Sequence, residues 1–231
     1  MRRVIITGAT RGLGMALAQH YLDLGDEVFG CGRTTSVLEH PNYTHCCVDV
    51  TSAEEVDHFF AQLQARVGMV DVLINNAGVA AMNALVLMPL ETARRIVDTN
   101  LLGTFSFTRA AVRLMRESGH GRIVNFTSVA VPLHLEGEAI YAASKSALET
   151  FTRIAARELG PFGITCNAIG PSPIKTGMLA GVPEQKLHAL IQAQAVRRWA
   201  VPDDVVNVID FFLRPESGMV TGQVIYLGGA C

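Results

Sequence analysis

Charged residues are scarce in this sequence. Asp, Glu, Lys and Arg make up only 17% of its 231 residues, and 19 cations against 21 anions leave a net charge of −2. So neutral a chain has no basic face for nucleic acid or for an anionic membrane surface, and neither is expected as a partner. Disorder is excluded from the other side. Hydrophobic residues reach 49% and mean hydropathy is +0.29, enough apolar surface for a large core. Metal-ligand spacing is missing as well. The five cysteines, Cys31, Cys46, Cys47, Cys166 and Cys231, form no CxxC and no Cys/His pattern, so no metal is expected. Odd in number, with two of them adjacent, they read as free thiols of a reducing cytoplasm. Lysine is the rare cation, three residues (Lys145, Lys175 and Lys186) against 16 arginines.

Charge is absent altogether over residues 72–90, a span long enough to cross a bilayer. That run holds Asn75, Asn76, Gly78, Asn83 and Pro89, which hydrocarbon does not tolerate without partners. It reads as a core strand running into a loop. The start, Met1-Arg2-Arg3, passes directly into Val-Ile-Ile without a cleavage-like site, and no signal peptide is expected.

What the sequence has is a regular alternation. Short β-branched runs at 4–7, 27–31, 45–48, 72–74, 123–126, 164–169 and 224–227 are mostly separated by helical periodicity, at 13–24, 53–66, 92–117, 141–159 and 203–213. Continuous apolar strands divided by helices mean a parallel sheet covered on both faces. Right-handed crossovers make it doubly wound. The expected class is α/β, a single doubly wound parallel sheet of about seven strands with helices on both faces. Residues 1–231 are expected to form one domain.

The first strand runs into TGATRGLG at 7–14 and then directly into a helix. Gly8, Gly12 and Gly14 let the backbone turn sharply and approach a ligand with no Cβ in the way. The helix start offers unpaired N–H groups and a positive dipole end to an anion. At the first βα turn of such a sheet that anion is a dinucleotide pyrophosphate. The second strand ends Cys31-Gly32-Arg33-Thr34, without the acid that would bind a ribose 2′-hydroxyl. Arg33 there, and Arg11 within the glycine loop, offer guanidinium forks suited to a phosphate. NADP(H) is therefore expected over NAD(H).

A second group is Ser128, Tyr141 and Lys145. Tyr141 and Lys145 stand four apart at the head of a helix and share a face. An ammonium one turn from a phenol favours phenolate and lowers a pKa that is ordinarily near 10. Ser128 closes the strand RIVNFTS, at the carboxyl edge where parallel sheets hold ligands. Its hydroxyl could hold a carbonyl oxygen beside the tyrosine.

Taken in order, TGxxxGxG at 7–14, Asp49-Val50, Asn75-Asn76-Ala77-Gly78, Asn100, Ser128 and Tyr141-x3-Lys145 closely resemble the short-chain dehydrogenase/reductase family. The resemblance covers the whole chain, including the thirteen residues from Ser128 to Tyr141. It implies a Rossmann fold and a role for each residue. Gly8, Arg11, Gly12, Leu13 and Gly14 would line the adenosine and pyrophosphate, and Asp49 and Val50 would hold the adenine. Asn76, Ala77 and Gly78 would support the central strand and the cofactor. Tyr141 would be the general acid in reduction and the base in oxidation. Lys145 would bind the nicotinamide ribose and lower the tyrosine pKa, and Ser128 would orient and polarise the substrate carbonyl. Asn100 would hold a water that extends a proton relay to Lys145. Hydride would pass directly from the nicotinamide to the substrate carbon, with no metal.

Two positions depart from the family pattern. Ser172 stands where a glycine follows Pro171, although Ile174 and Thr176 still fit the carboxamide-binding role that the resemblance implies. Leu227 stands where an aspartate is common before Gly-Gly. Within the family the pattern is nearest to 3-oxoacyl-(acyl-carrier-protein) reductases, which makes a 3-oxoacyl thioester the first substrate expectation and an acyl carrier protein the partner it would bring. Against this, Phe162 and Gly119 occupy places where a basic residue would meet such an acidic partner. The alternative is a reductase or dehydrogenase for another ketone or secondary alcohol, such as a secondary metabolite, sugar or steroid. A non-catalytic cofactor-binding sensor or scaffold is disfavoured, since Ser128, Tyr141 and Lys145 are all present. His134 reads as a loop-surface residue rather than a catalytic one. Relatives pair helices such as 92–117 and 141–159 between copies, so a homotetramer is expected.

Overall fold

Apolar residues at strand spacing decide this architecture. The computed structural model describes residues 1–175, 177 and 182–229. Seven strands, β1 (Arg3–Thr7), β2 (Glu27–Gly32), β3 (Tyr43–Cys47), β4 (Val72–Asn75), β5 (Gly121–Phe126), β6 (Ile164–Gly170) and β7 (Val224–Tyr226), form one sheet. Their order is β3-β2-β1-β4-β5-β6-β7 and every pairing is parallel. The doubly wound sheet read from the alternating runs is the one observed.

Successive side chains on a strand point to opposite faces, and here both faces are buried. Val4, Ile6, Val28, Val72 and Ile74 meet α1 (Gly12–Asp23) and α8 (Pro202–Leu213) through Leu17, Tyr21, Val205, Ile209 and Phe212. Ile5, Phe29, Leu73 and Ile123 meet α2 (Ala53–Val67), α4 (Gly103–Met115) and α6 (Ala139–Leu159). The remaining α-helices among the described residues are α3 (Leu90–Val97), the short α5 (Ala130–Leu133) and α7 (Glu184–Ala193). The second layer centres on Phe107, whose ring lies 5.8 Å from that of Phe59 and 5.5 Å from that of Phe60.

The periodicity that predicts one helix over 92–117 conceals a break. Between α3 and α4 the chain makes a π turn, Asp98–Leu102, around the buried Asn100. Single π turns inside α-helices are rare and gather at functional sites. Beyond it, Gly103 packs so closely on Val50 that a Cβ would come within 2.7 Å of Val50 Cγ2. Helix α7, with only Ile191 buried, is not among the elements expected from periodicity. No described helix is long and apolar enough to cross a membrane. The uncharged run 72–90 divides into β4, a loop and a short 3-10 turn, Leu85–Leu87.

Phe107 is fully buried. Phe107→Ala should lower unfolding free energy by about 3–5 kcal/mol through lost transfer energy and a residual cavity, read as a shifted urea midpoint. A midpoint unchanged from wild type would contradict this packing.

Candidate active site

The chain runs outward from β1 to β2 and β3, then returns to place β4 on the other side of β1. The carboxyl ends of β1 and β4 therefore open a crevice at the topological switch point, where such sheets hold ligands. Three segments are fastened together there. Asn76 Nδ2 donates to Thr7 O at 2.9 Å and to Gly8 O at 3.2 Å, and the Ala77 N–H donates to Thr7 Oγ1 at 2.9 Å. The approach leaves no room for side chains. A Cβ on Gly14 would sit 2.1 Å from Gly8 O and 2.5 Å from Asn76 Nδ2.

Helix α1 starts at Gly12 with Arg11 as its N-cap, without a side-chain cap bond and without an acid in its first turn. Its first N–H groups and its dipole are thus uncompensated, which suits a pyrophosphate against a backbone stripped of Cβ atoms. Arg11 and Gly12 are exposed and Leu13 is half-buried beside them. Arg33 follows β2 and is exposed. Among the described residues neither Arg11 nor Arg33 is paired with an acid. Val50 is buried, while Asp49 accepts from the Thr51 N–H and hydroxyl at 2.9 and 2.8 Å.

The structure brings Ser128, Tyr141 and Lys145 together between the end of β5 and the first turns of α6. Lys145 is buried, donates from Nζ to Phe126 O at 2.8 Å, and lies 5.9 Å from the centroid of the Tyr141 ring. Burial lowers the Lys145 ammonium to about 8. Tyr141 is not pulled down by its neighbour as expected from the four-residue spacing. Burial pushes its phenol up to about 12, with Glu138 adding to the rise and the Ser128 hydroxyl opposing it. The reason is that the same enclosure acts on both groups and disfavours the charged form of each.

Asn100 comes to this group from the π turn. A Cβ on Gly78 would lie 3.3 Å from Asn100 Oδ1 and 3.4 Å from Lys145 Nζ, so all three meet at one point. Asn100 Oδ1 accepts from the Val79 N–H at 2.8 Å, and its Nδ2 donates to Val79 O and Ser144 Oγ, both at 3.0 Å. Both side-chain donors are occupied, so the side chain clamps the loop after β4. Its backbone carbonyl accepts from Thr104 Oγ1 at 2.8 Å.

Sequence reasoning missed a second tier. The buried Glu149, one turn beyond Lys145, accepts from Thr127 Oγ1 at 2.8 Å and from the Tyr226 hydroxyl. Thr127 also donates to Lys145 O at 3.3 Å, tying the residue before Ser128 to the helix that carries the tyrosine. The i, i+4 spacing from Lys145 is the signal that could have found Glu149. The two departures from the family pattern meet in space, where Ser172 Oγ donates to Leu227 O at 2.9 Å. Pro171 is half-buried in the turn after β6, and Ile174 bridges to Ala200. Thr176 lies outside the described residues, as does Cys231. A cavity of about 240 Å³ behind this turn is lined by Ser172, Gln194, Val196 and Leu227 among others, and none of Ser128, Tyr141 and Lys145 reaches it. His134 is exposed, at φ 49°.

A doubly wound sheet with a glycine cradle at its switch point, and a Ser, Tyr and Lys group beside it, defines a nucleotide-dependent oxidoreductase acting on CH–OH or C=O groups. A family model described as enoyl-(acyl carrier protein) reductase matches residues 8–229. The chain belongs to that family, the short-chain dehydrogenases/reductases. It is 30% identical to a 3-oxoacyl-(acyl-carrier-protein) reductase of Vibrio cholerae, over 97% of this chain and 95% of that protein. Among solved structures it is similar to the ligand-free aldohexose dehydrogenase of Thermoplasma acidophilum, with a TM-score of 0.90, 27% identity, and coverage of 99% and 93%. It is similar also to a short-chain dehydrogenase of Leptospira borgpetersenii with bound NAD+, with a TM-score of 0.90, 26% identity, and coverage of 99% and 92%.

With only three lysines in the chain, the state of Lys145 can be read directly. In NMR of lysine-labelled protein, one resonance should titrate near 8. Its folded-state pKa is depressed, so between about 8 and the ordinary 10.5 the unfolded chain binds more protons, and this group makes stability rise with pH there. A spectrum in which every lysine titrates in the ordinary range would contradict the enclosure described.

Proposed function

We propose that the protein is an NADPH-dependent carbonyl reductase that converts a 3-oxoacyl thioester to its 3-hydroxy product. The observation that carries the reading is the convergence of Ser128, Tyr141 and Lys145 beside the glycine cradle. The nicotinamide, when bound, supplies the hydride. Gly8, Arg11, Gly12, Leu13 and Gly14 hold the pyrophosphate side, Asp49 and Val50 the adenine, and Asn76, Ala77 and Gly78 the crevice wall. Pro171, Ile174 and Thr176 serve the nicotinamide end. NADPH is favoured because Arg11 and Arg33 have no acidic partner among the described residues, and no acid follows β2.

Ser128 donates to the substrate carbonyl and orients it. Tyr141 gives its phenolic proton to the developing alkoxide. Burial raises the phenol, so Tyr141 carries its proton at neutral pH and has one to give. Lys145 holds the ribose hydroxyls and relays the replacement proton, and Asn100 keeps the loop after β4 against them.

The carrier-protein part of the reading has support at Phe162. Arg116 offers a basic group beside that position, its exposed guanidinium 4.2 Å over the Phe162 ring. We propose further that residues 1–231 act as one catalytic domain in a homotetramer. Leu102, Phe105 and Ile154 are exposed near the junction of α4 and α6 and fit a helical interface between copies. Free thiols such as the buried Cys31 and Cys166 suit a reducing cytoplasm.

Purified protein should oxidise NADPH with acetoacetyl-CoA faster than with a panel of simple ketones and aldoses, and Tyr141→Phe should abolish turnover while NADPH binding persists. Turnover on an aldose alone would move the assignment to a sugar dehydrogenase. An active Phe variant would sink the proposed role of Tyr141.

A further inference from the structure

We propose that His45, braced by Tyr43, positions the Arg33 loop for a 2′-phosphate and thereby sets the preference for NADPH over NADH; this rests on the NADPH reading above. In the sheet register Tyr43 lies beside Val28 and His45 beside Gly30. A Cβ on Gly30 would fall 2.3 Å from the Tyr43 hydroxyl and 2.9 Å from Ala9 Cβ. The phenol therefore fills the room that this glycine leaves, against the glycine turn. Two residues on, a Cβ on Gly32 would fall 2.2 Å from Thr10 Oγ1. These two glycines let the edge strand and the turn close on one side of β2.

His45 is bonded at both ring nitrogens. Nε2 lies 2.9 Å from Thr34 O, and Nδ1 lies 2.9 Å from the Tyr43 hydroxyl. A carbonyl only accepts, so Nε2 carries a proton toward Thr34 O, while the Tyr43 hydroxyl meets the other ring nitrogen. The ring thereby ties β3 to the backbone next to Arg33. Around this tether residues 33–42 contain no helix or strand, and Arg33 and Thr34 are both exposed. An exposed loop without such a tether must be ordered when the ligand arrives, at the expense of affinity. Only a ligand that uses Arg33 feels that difference. A 2′-phosphate uses it and a bare ribose hydroxyl does not. No pattern in the sequence marks the pair, because Tyr43 and His45 act through a main-chain carbonyl in another element.

The test is calorimetric titration of the full-length protein with 2′,5′-ADP and with AMP, alongside kcat/KM for NADPH and NADH. His45→Ala should weaken 2′,5′-ADP binding by roughly tenfold, the scale of one ordered hydrogen bond, and AMP binding less than twofold. The NADPH-to-NADH ratio should fall by the same factor. His45→Gln, which keeps an N–H donor, should recover part of the loss. Tyr43→Phe, which keeps the ring and removes the brace, should give a smaller shift in the same direction and guards against a His45 variant that fails to fold. Equal losses for both nucleotides, or no loss for 2′,5′-ADP, would overturn the role of His45. A wild-type protein that binds AMP as tightly as 2′,5′-ADP would instead overturn the NADPH reading itself.

Discussion

The crossing of three backbones at Gly8, Gly14 and Asn76 governs the rest of the site. Gly14 lies so close to Gly8 O that a single methyl group there would part the first turn of α1 from the end of β1. Asn76 spans the same crossing from β4, with one amide nitrogen on two successive carbonyls. The anion cradle and the central strand are thus one rigid piece. The loop that follows β4 continues from this piece to the clamp at Asn100 and to Gly78, where a Cβ would come within 3.4 Å of Lys145 Nζ.

Around that piece the site is built in tiers, with Lys145 buried in the inner one. Burial is the largest cause of both shifts, lowering Lys145 and raising Tyr141. A carboxylate in reach of the ammonium would have reversed the effect on the lysine, and the buried Glu149 is the obvious candidate. It turns instead to Thr127 and Tyr226, with Arg153 Nη2 3.7 Å away. The helix therefore holds an acid one turn from its key cation and uses it to lock the end of β5 to β7.

The sheet was legible in the sequence, and the candidate site could be proposed from it, because both rest on locally written patterns. Strands such as 4–7 and 72–74 are continuous apolar runs, and the glycine turn, Ser128 and the Tyr141–Lys145 pair are compact motifs. What was not legible depends on contacts across long separations. The sign of the Tyr141 shift followed from enclosure, which a four-residue spacing cannot report. The bond between Ser172 and Leu227 joins two positions 55 residues apart, each of which looked like an isolated departure. Glu149 and Tyr226 are 77 residues apart. The π turn was invisible for a different reason, since one extra residue in a helical turn barely disturbs an apolar period judged over many turns.

That extra residue sets the phase of a whole helix. Each residue added to an α-helix rotates the downstream turns by about 100°. The π turn is therefore a gear between α3 and α4. On one side it keeps Asn100 turned inward toward Val79 and Ser144, and on the other it leaves Phe105 turned out toward solvent. A relative lacking one residue in 98–102 could keep the buried clamp or the outward aromatic face, but would have to rebuild the other. Within this fold the length of that turn couples the buried clamp at Asn100 to the exposed face that carries Phe105.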